Sequence, residues 1–206
     1  MRLYIIRHGE TPWNTQLRLQ GQTDIELNEK GRALAEVTAR AMRGIPFDMV
    51  ITSPLVRARE TADIVLEHRN IPVITEERIR EIGFGEMEGR QISEEEKHDP
   101  NSEFYCFFHD PEHYVPARGG ETIISLLERT ADFLNELKQK QEWYEKTILI
   151  STHGAASRAL LAAIKHTPKK GFWENGVPKN CAVTIVDLEH GEWIIKEQDR
   201  VYYEDV

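Results

Sequence analysis

The sequence predicts an α/β domain: a three-layer sandwich with a mostly parallel central sheet and helices on both faces. Three observations carry this reading. Short apolar runs alternate with longer segments of helical period along most of the chain. The apolar runs end at turn or capping residues, as strands buried on both faces do. A chain of 206 residues with 40% hydrophobic content can bury a proper core, and no repeat, low-complexity tract or linker divides it. One domain over residues 1–206 is expected.

The elements follow in order. Leu3–Ile6 (LYII) is the first buried strand. Leu27–Met42 reads as a helix, with Leu34, Val37, Ala41 and Met42 near helical spacing and Asn28 as its cap. Asp48–Ser53 (DMVITS) is a second strand, Pro54–His68 a second helix, and Val73–Thr75 a third short strand. Ile123–Trp143 is a long amphipathic helix with Ile123, Leu126, Leu127, Leu134 and Leu137 on one side. Thr147–Ser151 (TILIS) is another buried strand, with the alanine- and leucine-rich helix Ala155–Lys165 behind it. Val183–Asp187 and Trp193–Glu197 form a closing hairpin around His190-Gly191.

Residues 83–120 break this rhythm. Acidic Glu94, Glu95 and Glu96 precede Phe104, Tyr105, Phe107, Phe108, His109, His113 and Tyr114 in a proline-punctuated stretch. Two readings stand. One is an irregular helical insertion whose aromatics pack on the sheet edge. The other is a lid that covers a site and shapes its specificity.

Charge and cysteines narrow the function. A net charge of −9 argues against nucleic-acid binding, which draws on basic residues meeting phosphates. A small phosphorylated ligand remains compatible, because a pocket can be locally positive in an acidic protein. Cys106 and Cys181 match no metal spacing and are too few for a disulfide scaffold, which suits a reduced, cytoplasmic setting. The amino terminus enters its strand with no basic-then-apolar leader, and no apolar stretch reaches bilayer length, so no membrane partner is expected.

In open α/β sheets, ligands bind beyond the carboxyl ends of the strands. Three such ends carry phosphate-compatible residues: Arg7-His8-Gly9 after LYII, Ser53-Pro54 through Arg57 and Arg59 after DMVIT, and Thr152-His153-Gly154 after TILIS. The last two open helices, whose free N–H groups and positive dipole ends attract anions. Guanidinium forks match phosphoryl oxygens and share their charge. A neutral imidazole is a good nucleophile at pH 7 and would form a phosphohistidine, provided an acceptor such as a backbone carbonyl near Gly9 holds its other nitrogen. A second histidine and the arginines would donate to the phosphoryl oxygens as charge accumulates. No carboxylate cluster offers to hold a metal, so no metal or cofactor is expected. The leaving oxygen still needs a proton, which calls for a rim carboxylic acid with apolar or acidic neighbours that raise its pKa.

Arg7-His8-Gly9-Glu10-Thr11 followed by Trp13-Asn14 resembles the signature of the histidine phosphatase superfamily, the phosphoglycerate mutase-like family. The likeness extends through Ser53-Pro54, Arg57-Ala58, Thr61-Ala62, Arg80-Glu81, Gly119-Gly120-Glu121 and Thr152-His153-Gly154. It implies that His8 is the phosphorylated nucleophile and that Arg7, Arg57 and His153 complete the phosphate pocket. Asn14 and the Gly154 N–H would add donors, Glu81 would be the proton donor, and Gln20-Gly21 would contact substrate. Arg32 and Arg59 are expected in structural ion pairs.

Phosphatase and mutase share the phosphohistidine step and differ in whether water or a second hydroxyl accepts the phosphoryl group. Mutases of this family grip a second anionic group with basic residues in the insertion. Here that region has only Arg90, Lys97 and Arg118 among many acids and aromatics, which suits uncharged or hydrophobic leaving groups. The resemblance is closest to bacterial broad-specificity phosphatases acting on small phosphorylated metabolites. A cofactor-dependent mutase is the alternative. A kinase would need a glycine-rich loop with lysine, which is absent, and a dead scaffold would lack a pocket residue, whereas all are present. The oligomer is expected to be a monomer or homodimer.

Overall fold

The computed structural model describes residues 1–204. Its centre is a six-stranded sheet of order β3-β2-β4-β1-β5-β6. The strands are β1 (Arg2–Arg7), β2 (Met49–Thr52), β3 (Val73–Thr75), β4 (Thr147–Thr152), β5 (Val183–Glu189) and β6 (Glu192–Arg200). β3, β2, β4 and β1 run parallel, and β5 and β6 continue the sheet antiparallel.

The two-residue period of the central strands separates the layers. Leu3 and Ile5 point to one face, joining Ile51, Ile148 and Ile150 under Phe133, Leu134, Leu137, Leu160 and Leu161. These last residues belong to α6 (Ile123–Gln139) and α7 (Gly154–Lys165). Tyr4 and Ile6 point to the other face, with Val50 and Leu149, under Ala35, Met42, Ala62 and Val65. Those sit on α2 (Glu29–Met42) and α3 (Val56–Val65). Central strands buried on both faces therefore read as unbroken apolar runs.

Element ends differ from the periodic reading where local chemistry intervenes. Asn28 stands outside α2 and its side chain accepts the Gly31 N–H at 2.7 Å. α3 is shorter than Pro54–His68: Leu55 is extended before it, and Glu67 and His68 turn left-handed after it (φ +51° and +56°). α6 stops at Gln139, and Gln141–Trp143 forms a separate 3-10 turn. β6 runs on to Arg200 because backbone pairing with β5 continues through charged residues that carry no apolar signal. His190 and Gly191 both take positive φ, as a two-residue hairpin turn matched to strand twist requires.

The insertion holds two short helices, α4 (Glu94–His98) and α5 (Tyr105–His109), while the four-residue α1 (Pro12–Thr15) follows β1. The aromatics do not pack on the sheet edge. Phe104, Phe107 and Tyr114 join Ile82, Phe84, Ile92, Ile123, Leu126, Ala155, Ala156, Ala159 and Phe172 in a third cluster that contains no strand residue. The insertion rests on the amino-terminal turns of α6 and α7, beside the carboxyl ends of the strands.

Candidate active site

Strand order brings the three motifs to one edge. β2, β4 and β1 are consecutive neighbours, with Thr52 opposite Ser151 and Arg7 opposite Thr152. Ser53, His153 and His8 therefore leave the sheet side by side. The His8 N–H continues the ladder to Thr152 O at 2.9 Å, and the two imidazole centroids lie 5.2 Å apart.

His8 is buried, and its Nδ1 lies 2.7 Å from Gly9 O. A carbonyl only accepts, so Nδ1 carries the proton and Nε2 keeps its lone pair. Burial, and next the positive charges of Arg57 and Arg7, hold this imidazole well below the usual histidine range, against the opposing pull of the Gly9 bond. It is neutral at pH 7. Gly9 is itself pinned: its N–H donates to Thr61 Oγ1 at 2.9 Å, and a Cβ there would lie 2.6 Å from Gly31 O. Only a glycine lets α2 approach this closely.

His153 caps α7 and is fully buried. Its Nε2 meets Ser53 Oγ at 2.6 Å. That hydroxyl also accepts the Leu55 N–H at 3.3 Å and has no other acceptor among the described residues, so its own proton points to Nε2 and the imidazole proton sits on Nδ1. Nδ1 has no hydrogen-bond partner among the described residues, nor do Arg7 Nε and Arg57 Nε. A buried donor left unpaired costs about 1–3 kcal/mol, which an anion in the cleft would recover. Burial lowers His153 as well, followed by the charges of Arg57, His8, Arg7 and Arg129.

Arg57 is wholly buried; Nη1 donates to Thr23 O at 2.8 Å and Nη2 to Gly21 O at 2.7 Å. Burial pulls it down to about 10, which leaves it charged at pH 7. Arg7 is lowered by burial, with the Glu81 charge opposing, and its Nη1 donates to Pro178 O.

The Glu81 carboxylate faces the start of α7 and accepts N–H bonds from Ala155 (3.2 Å), Ala156 (3.1 Å) and Ile82 (3.0 Å). Arg129 holds its carbonyl at 3.2 Å and pairs with Glu121 at 2.7 Å, so the Gly-Gly-Glu motif braces the Glu81 loop without lining the cleft. Asn14 Oδ1 accepts from Thr11 N–H (3.0 Å) and Thr11 Oγ1 (3.1 Å), which turns its amide NH2 outward. Arg32 pairs with Glu60 at 2.5 Å, whereas Arg59 is exposed and has no ion pair among the described residues.

Arg7, His8, Asn14, Gln20, Gly21, Arg57, Glu81 and Gly154 line one cleft of about 810 Å³ including its open mouth, with His153 buried beneath it. The rest of the wall is mostly apolar: Trp13, Leu17, Leu19, Ile82, Phe84, Ile92, Phe107, Trp173 and Val177. Phe84, Ile92, Lys97 and Phe107 of this wall come from the insertion. Trp173 and Val177 escaped the sequence reading because their segment, between α7 and β5, has neither period nor motif. Trp173 is placed by its indole N–H donating to Phe107 O at 2.6 Å. Ser53 was visible only as a motif letter.

Residues 3–200 match the family model of the histidine phosphatase superfamily (branch 1). The chain is 34% identical to the uncharacterized phosphatase PhoE of Bacillus subtilis, over 94% of this chain and 91% of the relative. It is 31% identical to phosphoserine phosphatase 1 of Hydrogenobacter thermophilus, over 95% and 90%. Among solved structures, Bacillus stearothermophilus YhfR superposes with a TM-score of 0.87 at 35% identity, covering 97% of each chain. With a family model spanning nearly its whole length, this chain belongs to the histidine phosphatase superfamily.

Proposed function

We propose that the protein is a metal-independent phosphomonoester hydrolase working through a phosphohistidine at His8. The observation that carries this is the fixed tautomer of His8, with its Nε2 lone pair facing a cleft that also presents Arg7 and Arg57. His8 Nε2 attacks phosphorus while the ester P–O bond breaks, and Glu81 delivers a proton to the leaving oxygen. Arg7, Arg57, His153 Nδ1–H and the Asn14 amide take the charge on the equatorial oxygens. Water then attacks the phosphohistidine, the P–N bond breaks, and Glu81 recovers a proton from that water. Inorganic phosphate leaves and the resting imidazole returns.

The apolar wall supports substrates with uncharged or hydrophobic leaving groups and a broad range of small phosphorylated metabolites. Beyond Arg7 and Arg57, the cations in the wall among the described residues are Arg18 and Lys97. Arg90 is paired with Glu96 and Glu103, and Arg118 does not line the cleft, so the insertion offers little grip on a second phosphate or carboxylate. That weighs against a mutase, although a probable phosphoglycerate mutase of Proteus mirabilis is 29% identical over 94% of this chain and 88% of that protein. A cytoplasmic setting with a monomer or homodimer completes the proposal. The free thiols of Cys106 and Cys181 support a reduced compartment, and burial pushes Cys181 up to about 12, which makes it inert.

The test is a panel of phosphorylated metabolites, 3-phosphoglycerate included, with chelator-treated protein and separate assays for phosphate release and isomerisation. Phosphate release without added metal is expected. Activity that disappears with EDTA and returns with a divalent ion, or isomerisation outrunning release, overturns the reading.

A further inference from the structure

Glu88 takes no part in the steps above, yet its carboxylate organises the wall behind Arg57. Oε1 accepts the N–H of Gln22 at 2.9 Å and of Phe84 at 3.1 Å; Oε2 accepts the N–H of Thr23 at 2.8 Å and also the Thr23 hydroxyl. These donors come from two loops, one between α1 and α2 and one at the start of the insertion. The first loop is the one that holds Arg57, through the carbonyls of Gly21 and Thr23.

The Gly21 carbonyl and the Gln22 N–H belong to one peptide unit, and in a trans peptide they point in opposite directions. Glu88 and Arg57 therefore grip the same peptide from opposite edges, 2.9 Å on one side and 2.7 Å on the other. A carboxylate pulling on the N–H polarises the carbonyl and strengthens its bond to the guanidinium. The loop is shaped for this contact. Gly21 has φ +54°, and a Cβ there would lie 2.1 Å from Glu88 Oε1, so only glycine accommodates both the turn and the carboxylate. Burial works against the Arg57 charge, and the negative charge of Glu88 is among those that oppose it. The exposed Glu86, two residues away, makes none of these contacts.

We propose that Glu88 is a positioning residue for phosphoryl transfer: it builds the carbonyl cradle that aims Arg57 at the phosphoryl group over His8. This rests on the phosphatase reading above. The experiment compares wild type, Glu88→Gln, Glu86→Gln and Arg57→Ala on an aryl phosphate, with orthovanadate inhibition read in parallel. Glu88→Gln keeps the size but replaces one acceptor oxygen with a donor, so kcat should fall about 10- to 100-fold. Vanadate should weaken by a similar factor, and Glu86→Gln should match wild type. In the Arg57→Ala background, Glu88→Gln should add less than about twofold, the non-additivity of residues acting as one unit.

A merely structural role for Glu88 would lower the unfolding temperature and the active fraction but leave the vanadate inhibition constant of the remaining enzyme unchanged. That result overturns the inference, as does an equal loss in both backgrounds. If Glu88→Gln does not fold, Glu88→Asp carries the same comparison, and wild-type vanadate affinity in it sinks the idea equally. If wild type releases no phosphate, the phosphatase reading has failed instead; if it does and Glu88→Gln is indistinguishable from it, only this inference has.

Discussion

Replacing Ser53 with alanine isolates the part of the site that sets the second histidine. Ser53 and His153 are both fully buried, and their 2.6 Å contact is the bond that directs the imidazole proton to Nδ1. The hydroxyl's removal leaves Nε2 without a partner in a site that water does not reach, at a cost of about 1–3 kcal/mol. Without that bias the ring also samples the tautomer that cannot donate to the phosphoryl group, and removing one such donor costs about 2.7–4 kcal/mol of transition-state stabilisation when complete. Partial loss of between about 1 and 3 kcal/mol corresponds to a fall of about 5- to 150-fold in kcat/KM. The assay is steady-state hydrolysis of an aryl phosphate alongside thermal unfolding. Ser151→Ala is the control, because it deletes an equally buried hydroxyl whose bond runs to Ala58 O at 2.7 Å, away from the histidines. Ser151→Ala should lose stability and keep its rate. If Ser53→Ala turns over within about twofold of wild type, the tautomer argument is wrong.

Further expectations follow from the same geometry. His8→Ala should abolish turnover and acid-labile phosphoenzyme; phosphate still trapped on that variant removes His8 from the nucleophilic role. Glu81→Gln should slow alkyl phosphates at least about tenfold more than aryl phosphates, because only poor leaving groups need the proton; equal losses on both would dismiss Glu81 as the acid. Stability should depend on pH in one direction. Both active-site histidines lie below 6.5 when folded, so the unfolded chain takes up protons first as the pH drops. Their contribution is complete above about 6.5 and declines below it by at most about 1.4 kcal/mol per pH unit for each histidine. Denaturant titrations between neutral pH and pH 5 measure this slope, and a His8→Gln variant that leaves it unaltered would contradict the burial argument.

Much of this protein was legible one residue at a time. LYII, DMVIT and TILIS announced strands buried on both faces, and Asn28 announced a helix start, because hydrophobic period and capping are local properties. Arg7-His8-Gly9 and Thr152-His153-Gly154 stood out because charged residues at strand ends have no packing use. The insertion was legible only as a departure from the rhythm: its aromatics do not reveal by spacing that they settle on α6 and α7 rather than on the sheet edge. The same limit hid Trp173 and Val177, which carry no motif.

Strand order decided the rest. Ser53 and His153 are 100 positions apart, and they meet because β2 and β4 are neighbours in matching register. Glu88 reaches Gln22 across 66 positions, and the peptide between it and Arg57 exists as a contact only once two loops close on each other. The linear order of residues set which groups were available and which segments would be strand or helix. Contacts between distant segments set which nitrogen of His153 is free and where the Arg57 guanidinium points, whereas the bond that fixes the His8 tautomer runs to the adjacent Gly9. Hydrogen-bond geometry depends on angstrom-scale placement of groups far apart along the chain, and local pattern holds no record of it.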